Sequence, residues 1–404
     1  MNLRLSIFWF LYMAGLGIFF PYFSLYLGQE LGLAGGSIGV VVAMIPLIGL
    51  FTQPIWGQLA DRTGTRRGAL ALAILGVALA NLVIVRVTTF SMALLSTAFL
   101  AASVTAVLPM ATAVTLAAQS RRGGSAFGFV RMWGTLGFLF SVVTFPRALP
   151  YLDETSLPFD GLQWMFPATA IYSLLAAVAA LCLPRTEAMV VRSASGDTGR
   201  LLRHVPVRRL LALVFLAHLC MQGPINIFPL LVAERGGDVA EIGTMWVLML
   251  LLEIPLIAFS GTTLERFGAR TLLMIGLLAE GLRWTVSAWV PDLDTVRWVQ
   301  LCHGIGVAGV IIGGPLYLEQ SVPERLRSTG QTLVSTIGFG LASILSISAA
   351  GWLFEHFGSR VPYGVAGAGA LLLGLCVHRW LPEPRRPTAE SPPISVDRGQ
   401  EAVG

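Results

Sequence analysis

Two ten-residue stretches decide the fold. GQLADRTGTR occupies residues 57–66 and GTTLERFGAR occupies residues 261–270, and both fit the pattern G-x-x-x-[D/E]-R-x-G-x-R. They are offset by 204 residues, and the same offset places Arg121 on Arg325 and Gly134 on Gly338. Each stretch separates two apolar runs. The repetition therefore predicts a parallel repeat, that is, two related halves with the same orientation in the membrane. In this arrangement one half can rock against the other around a central site.

The composition places both halves in lipid. Hydrophobic residues make up 55% of the chain, charged residues only 12%, and the mean hydropathy is +0.74. Soluble domains carry roughly 25% charged residues. The apolar residues recur in runs of about 20, the length at which a helix crosses a bilayer. The alternation typical of membrane β-barrels is missing. The sequence predicts an all-α membrane protein with twelve transmembrane helices in two pseudo-symmetric six-helix bundles.

Gly, Pro and charged residues set the predicted boundaries. The first six spans are expected near 4–27, 38–60, 68–86, 90–118, 124–147 and 163–183, and the second six near 207–233, 241–261, 270–290, 295–320, 328–353 and 362–381. The domains are then a bundle over 1–183, a cytoplasmic central loop over 184–206, and a second bundle over 207–381. The proline-rich segment 382–404 has no apolar run and is expected to be a disordered cytoplasmic tail.

All 27 basic residues are arginines, and they indicate the orientation. With a cytoplasmic N-terminus, twenty arginines fall on the cytoplasmic side and five on the opposite side, which is a positive-inside bias. We expect both termini to be cytoplasmic. The net charge of +5 is spread over short loops rather than one face, so nucleic acid is not an expected partner. Four isolated cysteines have no metal-ligand spacing.

Further motifs support a family resemblance. They comprise FTQPIWG at 51–57, leading into Gly57, Asp61, Arg62, Gly64 and Arg66; FPYFSLYL at 20–27; FGFVRMWG at 127–134; GLRW at 281–284; and LCHG at 301–304. With these motifs the chain resembles the major facilitator superfamily over both halves. Within it, the chain is most similar to the lactose permease and phenylpropionate permease group of proton symporters.

The resemblance implies roles for several residues and also shows departures. Arg131 matches an arginine that contacts sugar in lactose permease, while Arg283 and His303 match its proton-coupling network. Ala113 and Gly306 stand where lactose permease has its sugar-pairing and proton-carrying glutamates. The phenylpropionate permease pattern, a glutamate before proline in span eight, is matched by Glu253.

Ionisable residues inside predicted spans are costly and usually functional. We expect solute binding by Arg131, Gln222, Asn226, Tyr22 and His303, and proton coupling by Glu253, Arg283, His303 and Glu280. Each has a structural alternative. Arg131 could snorkel to the membrane surface, and Glu280 and Arg283 share a helix face and could form a purely structural ion pair. His303 could be a satisfied core group, and the two amides could bond only to neighbouring backbone.

The repeated loops are predicted to act as gates. A carboxylate and guanidinium groups in a tight turn can pair with each other and with neighbouring helix ends. The residues concerned are Gly57, Asp61, Arg62, Gly64 and Arg66 in the first half, and Glu265, Arg266 and Arg270 in the second. The alternative is that these arginines serve only membrane topology.

The resulting functional prediction is secondary active transport by alternating access. We expect proton-coupled symport of a small organic solute, such as an aromatic acid, a nucleoside or a sugar-like compound. The alternatives are drug or metabolite efflux by proton antiport, and a non-transporting membrane sensor of the same fold. No nucleophile–base motif, metal cluster or nucleotide loop indicates an enzyme. We expect a monomer in a bacterial-type inner membrane, with the proton gradient in place of any cofactor.

Overall fold

The computed structural model describes residues 2–63, 66–120, 127–184, 197–258 and 260–383. Long helices dominate the first half. They are α1 (Asn2–Gln29), α2 (Gly35–Thr63), α3 (Arg66–Ile84), α4 (Phe90–Ser120), α5 (Phe127–Asp153) and α6 (Met165–Leu181), the last preceded by a 3₁₀ turn at Gly161–Trp164.

The second half repeats this arrangement with more interruptions. Its helices are α7 (Asp197–Arg203), α8 (Val205–Glu234), α9 (Val239–Ala258), α10 (Ser260–Trp289), α11 (Leu293–Val299), α12 (Cys302–Ser321), α13 (Glu324–Leu333), α14 (Ala342–Phe357) and α15 (Arg360–Trp380). A π-helical segment, Val334–Leu341, joins α13 to α14.

The predicted all-α fold is confirmed, with differences at the boundaries. Eleven segments of the described chain are long and apolar enough to cross a membrane. Helix α10 is not among them; it corresponds to the ninth predicted span and carries Glu280 and Arg283. Charge on this helix lowers its hydropathy, although its length is sufficient. The predicted span 295–320 is divided between α11 and α12, because the chain turns at Gln300 and Leu301.

Three further predictions concern segments outside the spans. The short helix α7 lies inside the segment 184–206 that was expected to be a loop. The predicted tail lies outside the described residues from position 384 onward. The loop predicted between spans eight and nine is reduced to a bend at Gly268, where φ is +73° and ψ is 160°, both outside the helical range, so α10 consists of two helical segments joined there. A glycine suits this bend because residues with a Cβ rarely adopt that conformation.

The same helix pairings recur in the two halves. Helix α1 packs on α5 and α6, and its counterpart α8 packs on α14 and α15. Likewise α3 packs on α6 as α10 packs on α15, and α2 packs on α4 as α9 packs on α12. Two clusters of buried apolar side chains fill the bundle: the larger one runs through the first half and continues into α8, α9 and α14, and the smaller one lies in the second half around α8, α10 and α12. The internal repeat is therefore structural as well as sequential.

The halves meet through two equivalent helix pairs, α2 with α14 and α5 with α9. Close approach of α2 to α14 depends on glycine, since a Cβ on Gly39 would lie 2.8 Å from the Ile347 carbonyl oxygen and 3.1 Å from the Gly351 Cα. The backbone N–H of Gly36 also donates to the Glu355 carboxylate at 2.7 Å. Helix α5 meets α9 where Phe138 packs against Trp246, with ring centroids 5.7 Å apart. These contacts surround the candidate site.

Candidate solute-binding and coupling site

A network of buried polar side chains lies inside the second half. Glu280 and Arg283 on α10 are fully buried and form an ion pair, with 3.1 Å between Arg283 Nη1 and Glu280 Oε2. Arg283 Nε donates to Gln300 Oε1 at 2.7 Å, and the guanidinium stacks on Trp284, with 3.8 Å from Cζ to the ring centroid. Gln300, also fully buried, donates to the Val296 carbonyl at 2.7 Å. Partners thus surround both buried charges.

His303 joins this network from α12 and remains partly exposed. Its Nδ1 lies 2.8 Å from Arg283 Nη1 and 3.0 Å from Glu280 Oε1. A protonated Nδ1 donates to the carboxylate, whereas an unprotonated Nδ1 accepts from the guanidinium. The two hydrogen bonds require opposite states of the same nitrogen. The position of one proton on His303 therefore selects its partner.

Gly306 explains one departure from the lactose permease pattern. A Cβ on Gly306 would collide with the side chain of Glu280. Glycine at this position leaves room for a carboxylate that comes from α10 instead of α12. In the same way, a side chain at Gly304 would strike the backbone of Leu252 and Glu253 on α9. Small residues on α12 hold the neighbouring helices at close range.

Arg131 lies on α5 in the first half. Its guanidinium stands over the Trp9 ring, with 4.7 Å from Cζ to the ring centroid, and it interacts electrostatically with Tyr12. Nη1 is buried without a hydrogen-bond partner. A planar guanidinium fixed on an aromatic ring keeps its remaining N–H groups available as a fork. Arg131 is therefore suited to bind a polar ligand and is not simply extended to the membrane surface.

Glu253 on α9 is the acidic group of the second half whose charge acts on Arg131. The two side chains interact electrostatically, and Glu253 interacts with His303 as well. All three side chains are partly exposed, whereas Glu280 and Arg283 are fully buried. Arg131 and Glu253 are thus within electrostatic range of each other across the halves, as Glu253 and His303 are within the second half, and His303 bonds to the buried ion pair.

The remaining predicted solute-binding residues divide into two groups. Gln222 and Asn226 on α8 are partly exposed, and Asn226 Nδ2 donates to the Gln222 carbonyl oxygen at 2.8 Å. Tyr22 is fully buried, and its hydroxyl donates to the Val142 carbonyl oxygen at 3.4 Å. This packing places Tyr22 in the contact between α1, α5 and Gly243 of α9. Only the two amides have the exposure that a ligand contact requires.

The predicted gating loops are described only in part. Arg66 lies 3.8 Å from Asp61, and both residues line a cavity of about 240 Å³ between α2 and α4. Arg62 is exposed, and a Cβ on Gly57 would meet nothing within 4 Å. Gly64 and the side chains of Glu265 and Arg266 lie outside the described part of the chain. The contact between Asp61 and Arg66 lies within the first half, so the gating role of these loops stays a prediction.

Arginines near these loops have a structural role that the sequence analysis missed. In the first half, Arg4 donates to the Cys182 carbonyl oxygen at 3.3 Å and Arg67 to that of Leu183 at 3.0 Å. In the second, Arg209 donates to the Trp380 carbonyl oxygen at 3.2 Å, and Arg270 to that of His378. Each pair caps the final helix of its half, where cations interact favourably with the helix dipole. In the sequence, this capping role could have been inferred from the arginines that lie near the start of the first and third membrane spans of each half.

Comparisons with known proteins agree with this arrangement. A profile of the MFS_1 like family matches residues 2–365. The maltose permease of Geobacillus stearothermophilus is 30% identical over 359 residues, which cover 87% of each chain. The raffinose permease of Escherichia coli is 22% identical over 387 residues, covering 90% of this chain and 88% of the relative. Among solved structures, the nucleoside transporter NupG superimposes with a TM-score of 0.82 at 17% identity, over 95% of this chain and 99% of that one.

Proposed function

Because the chain belongs to the MFS_1 like family of the major facilitator superfamily and is a multi-pass secondary transporter, we propose that it carries a neutral, sugar-like solute together with a proton. The observation that carries this proposal is the electrostatic interaction of Arg131 with Glu253 across the two halves. Their charges compensate each other. A neutral solute leaves that balance intact, whereas an anion would add a second negative charge beside that of Glu253.

The chemistry of the site suits a polyhydroxylated molecule. Hydroxyl groups donate and accept hydrogen bonds, and they would meet a guanidinium fork on Arg131 and amides on Gln222 and Asn226. The Trp9 ring is fully buried and supports the Arg131 guanidinium. Sites for small molecules use a few polar groups held in this way to fix the orientation of the ligand. Maltose and raffinose permeases among the relatives support a sugar over an aromatic acid.

Proton coupling would follow from competition for Arg131. Ionised Glu253 attracts the Arg131 guanidinium and opposes its use by a solute. A proton on Glu253 removes that attraction and leaves the guanidinium charge of Arg131 to the solute hydroxyls. The protonated site then binds solute more tightly, and by linkage the solute favours the protonated site. His303, which interacts with Glu253 and bonds to the buried ion pair, would relay or stabilise the proton.

The same proposal covers the surroundings of the protein. We place it in a bacterial plasma membrane as a monomer with both termini in the cytoplasm, on the strength of the arginine distribution. It would perform no covalent chemistry and need no cofactor, since the proton gradient supplies the free energy. Its partners would be the solute and the lipid bilayer, not nucleic acid.

Purified protein in proteoliposomes tests the proposal. Maltose, raffinose, a nucleoside and an aromatic acid are added separately while an internal dye reports pH. We expect a sugar to drive proton movement. In Glu253→Gln this movement should be lost, while exchange of labelled sugar across the membrane continues, because the neutral amide mimics the protonated carboxylate. Glu319→Gln, which alters an exposed carboxylate bonded to Arg327, is the control.

Two results would contradict the proposal. Undiminished sugar-driven proton movement in Glu253→Gln would remove Glu253 as the carrier. Proton movement with the aromatic acid alone would exclude a neutral sugar as the solute.

A further inference from the structure

A small cavity lies inside the first half, between α1, α3, α4 and α6. Its volume is about 20 Å³, and its polar lining consists of Tyr12, Asn81, Thr169 and Ser173, all of which are buried. A cavity of at least about 10–15 Å³ can hold one water molecule when two to four polar groups line it. The cavity therefore has the size and the lining for one water, and it is too small for a sugar or another organic solute.

Asn81 supplies a buried acceptor to this cavity. Its Nδ2 donates to the Val77 carbonyl oxygen at 2.9 Å. Because a carbonyl oxygen can only accept, this bond fixes which end of the amide carries the nitrogen. The other end, Oδ1, is buried and has no hydrogen-bond partner in the described part of the chain. A buried acceptor without a donor destabilises the fold, and a ligand that donates a hydrogen would remove that cost.

Tyr12 connects the cavity with Arg131. The two side chains interact electrostatically. A positive charge attracts the oxygen of a hydroxyl dipole, so the hydrogen of the Tyr12 hydroxyl turns away from Arg131. That hydrogen needs an acceptor. Asn81 Oδ1 does not receive it directly, and Thr169 Oγ1 uses its own hydrogen for the Gly15 carbonyl oxygen at 3.3 Å.

We propose that one water molecule occupies this cavity and positions Tyr12, and through it Arg131, for solute binding. This inference rests on the role of Arg131 in the proposed function. The water would accept from the Tyr12 hydroxyl and donate to Asn81 Oδ1 and Thr169 Oγ1, and three hydrogen bonds are typical of a buried water. Asn81 is then a positioning residue, because it acts on the solute site through the water and Tyr12.

A cation fits the same cavity less well. Its lining offers neutral oxygens and no carboxylate. Hard cations are bound by carboxylates together with several further oxygens. The positive charge of Arg131, which acts on Tyr12, would also repel a second positive charge. Water is therefore the occupant that suits both the lining and the charge.

The test combines a structure with transport kinetics, both on the full-length protein. A crystal structure that resolves ordered water should show one density peak within hydrogen-bonding distance of Asn81 Oδ1, the Tyr12 hydroxyl and Thr169 Oγ1. In proteoliposomes, Asn81→Leu substitutes an apolar side chain of similar shape and removes one partner of the water. Loss of one neutral hydrogen bond corresponds to roughly a five-fold change in affinity. We therefore expect the KM for sugar to rise by that factor, while the maximal rate is unchanged.

Tyr12→Phe should raise the KM to the same extent. The double variant of Asn81→Leu with Tyr12→Phe should raise it no further, because residues that act through one shared partner are not additive. A purely structural role of Asn81 would not produce this dependence on Tyr12.

Thr285→Val is the matched control. Thr285 is offset from Asn81 by the same 204 positions that relate the two halves. Its hydroxyl is also buried without a partner among the described residues, but Gly367 of α15 packs against it. This variant should leave the KM unchanged.

Three results would overturn the bound water. The first is an empty cavity in the unmodified protein, and the second is a double variant in which the two effects multiply. The third is uptake that requires Na⁺ in the unmodified protein but not in Asn81→Leu, which would identify a cation. Failure of the unmodified protein to transport any sugar would instead overturn the proposed function, and the density in the cavity would still decide whether the water is bound.

Discussion

Glu280 and Arg283 show how one helix can hold two charges inside a membrane. Each is fully buried, and each has hydrogen-bonding or stacking partners beyond the other: His303 for Glu280, Gln300 and Trp284 for Arg283. A buried pair of this kind contributes little net stability, because desolvation offsets the attraction. Removal of one partner is different, since it leaves the other charge buried without compensation.

Glu280→Gln is therefore expected to destabilise the protein by about 3–5 kcal/mol. The measurement is the free energy of unfolding from tryptophan fluorescence in mixed-micelle denaturant titrations. The double variant Glu280→Leu with Arg283→Met should recover most of the loss, because no charge remains in the interior. Glu319→Gln changes an exposed pair and should cost no more than about 1 kcal/mol. Similar losses in the single and double variants would mean that packing, not charge, dominates.

On the proposed function, Arg131 contributes geometry as well as charge. Arg131→Lys keeps the positive charge near Trp9 but replaces a planar fork by a single ammonium group. A hydrogen bond to a charged group contributes about 1.5–3 kcal/mol, so loss of one should raise the KM for sugar by roughly 10- to 100-fold. Uptake kinetics at saturating proton gradient measure this, with the amount of reconstituted protein checked by gel. A KM within two-fold of the unmodified protein would show that Arg131 acts only as a charge.

At the scale of helices, glycine determines how closely α2 and α14 approach. A Cβ on Gly351 would lie 2.8 Å from the Gly39 Cα and 2.9 Å from its nitrogen. These are backbone atoms, which cannot move out of the way as the end of a flexible side chain can. Gly314 on α12 contrasts with it, since a Cβ there would lie 3.8 Å from Val214. Gly351 is therefore required for the close approach of the two helices, whereas Gly314 has room for a methyl group.

Gly351→Val should force α2 and α14 apart and favour the state in which this end of the molecule is open. A cysteine placed at Ile347, which is 3% exposed, reports the change in a background without native cysteines. Its rate of labelling by a maleimide should rise several-fold in the presence of Gly351→Val. Gly314→Ala is the control and should leave the rate unchanged. Equal labelling in all variants would exclude this contact as a closure.

At the scale of the whole molecule, transport requires the halves to separate where they now meet. A Cβ on Gly36 would lie 3.8 Å from the Trp352 Cα, close to the geometry in which two cysteines can form a disulfide. Gly36→Cys with Trp352→Cys should therefore cross-link the halves on oxidation and stop sugar uptake. Reductant should restore it. The four native cysteines are replaced by serine beforehand, and each single variant serves as a control. Continued uptake by fully cross-linked protein would exclude separation at this end.

The sequence by itself determined the membrane fold, the approximate spans, the two-fold repeat and the set of ionisable residues worth examining. These follow from local properties, since hydropathy, glycine and charge are read within one helix length. Only the tertiary structure decided that Glu253 interacts electrostatically with Arg131, that Gln300 completes the network around Arg283, that the Tyr22 hydroxyl donates to the Val142 carbonyl oxygen, and that Arg270 caps α15. These partners are separated by 17 to 122 positions in the chain. They meet because the helices of both halves pack in one arrangement, and no pattern within a single helix contains that information.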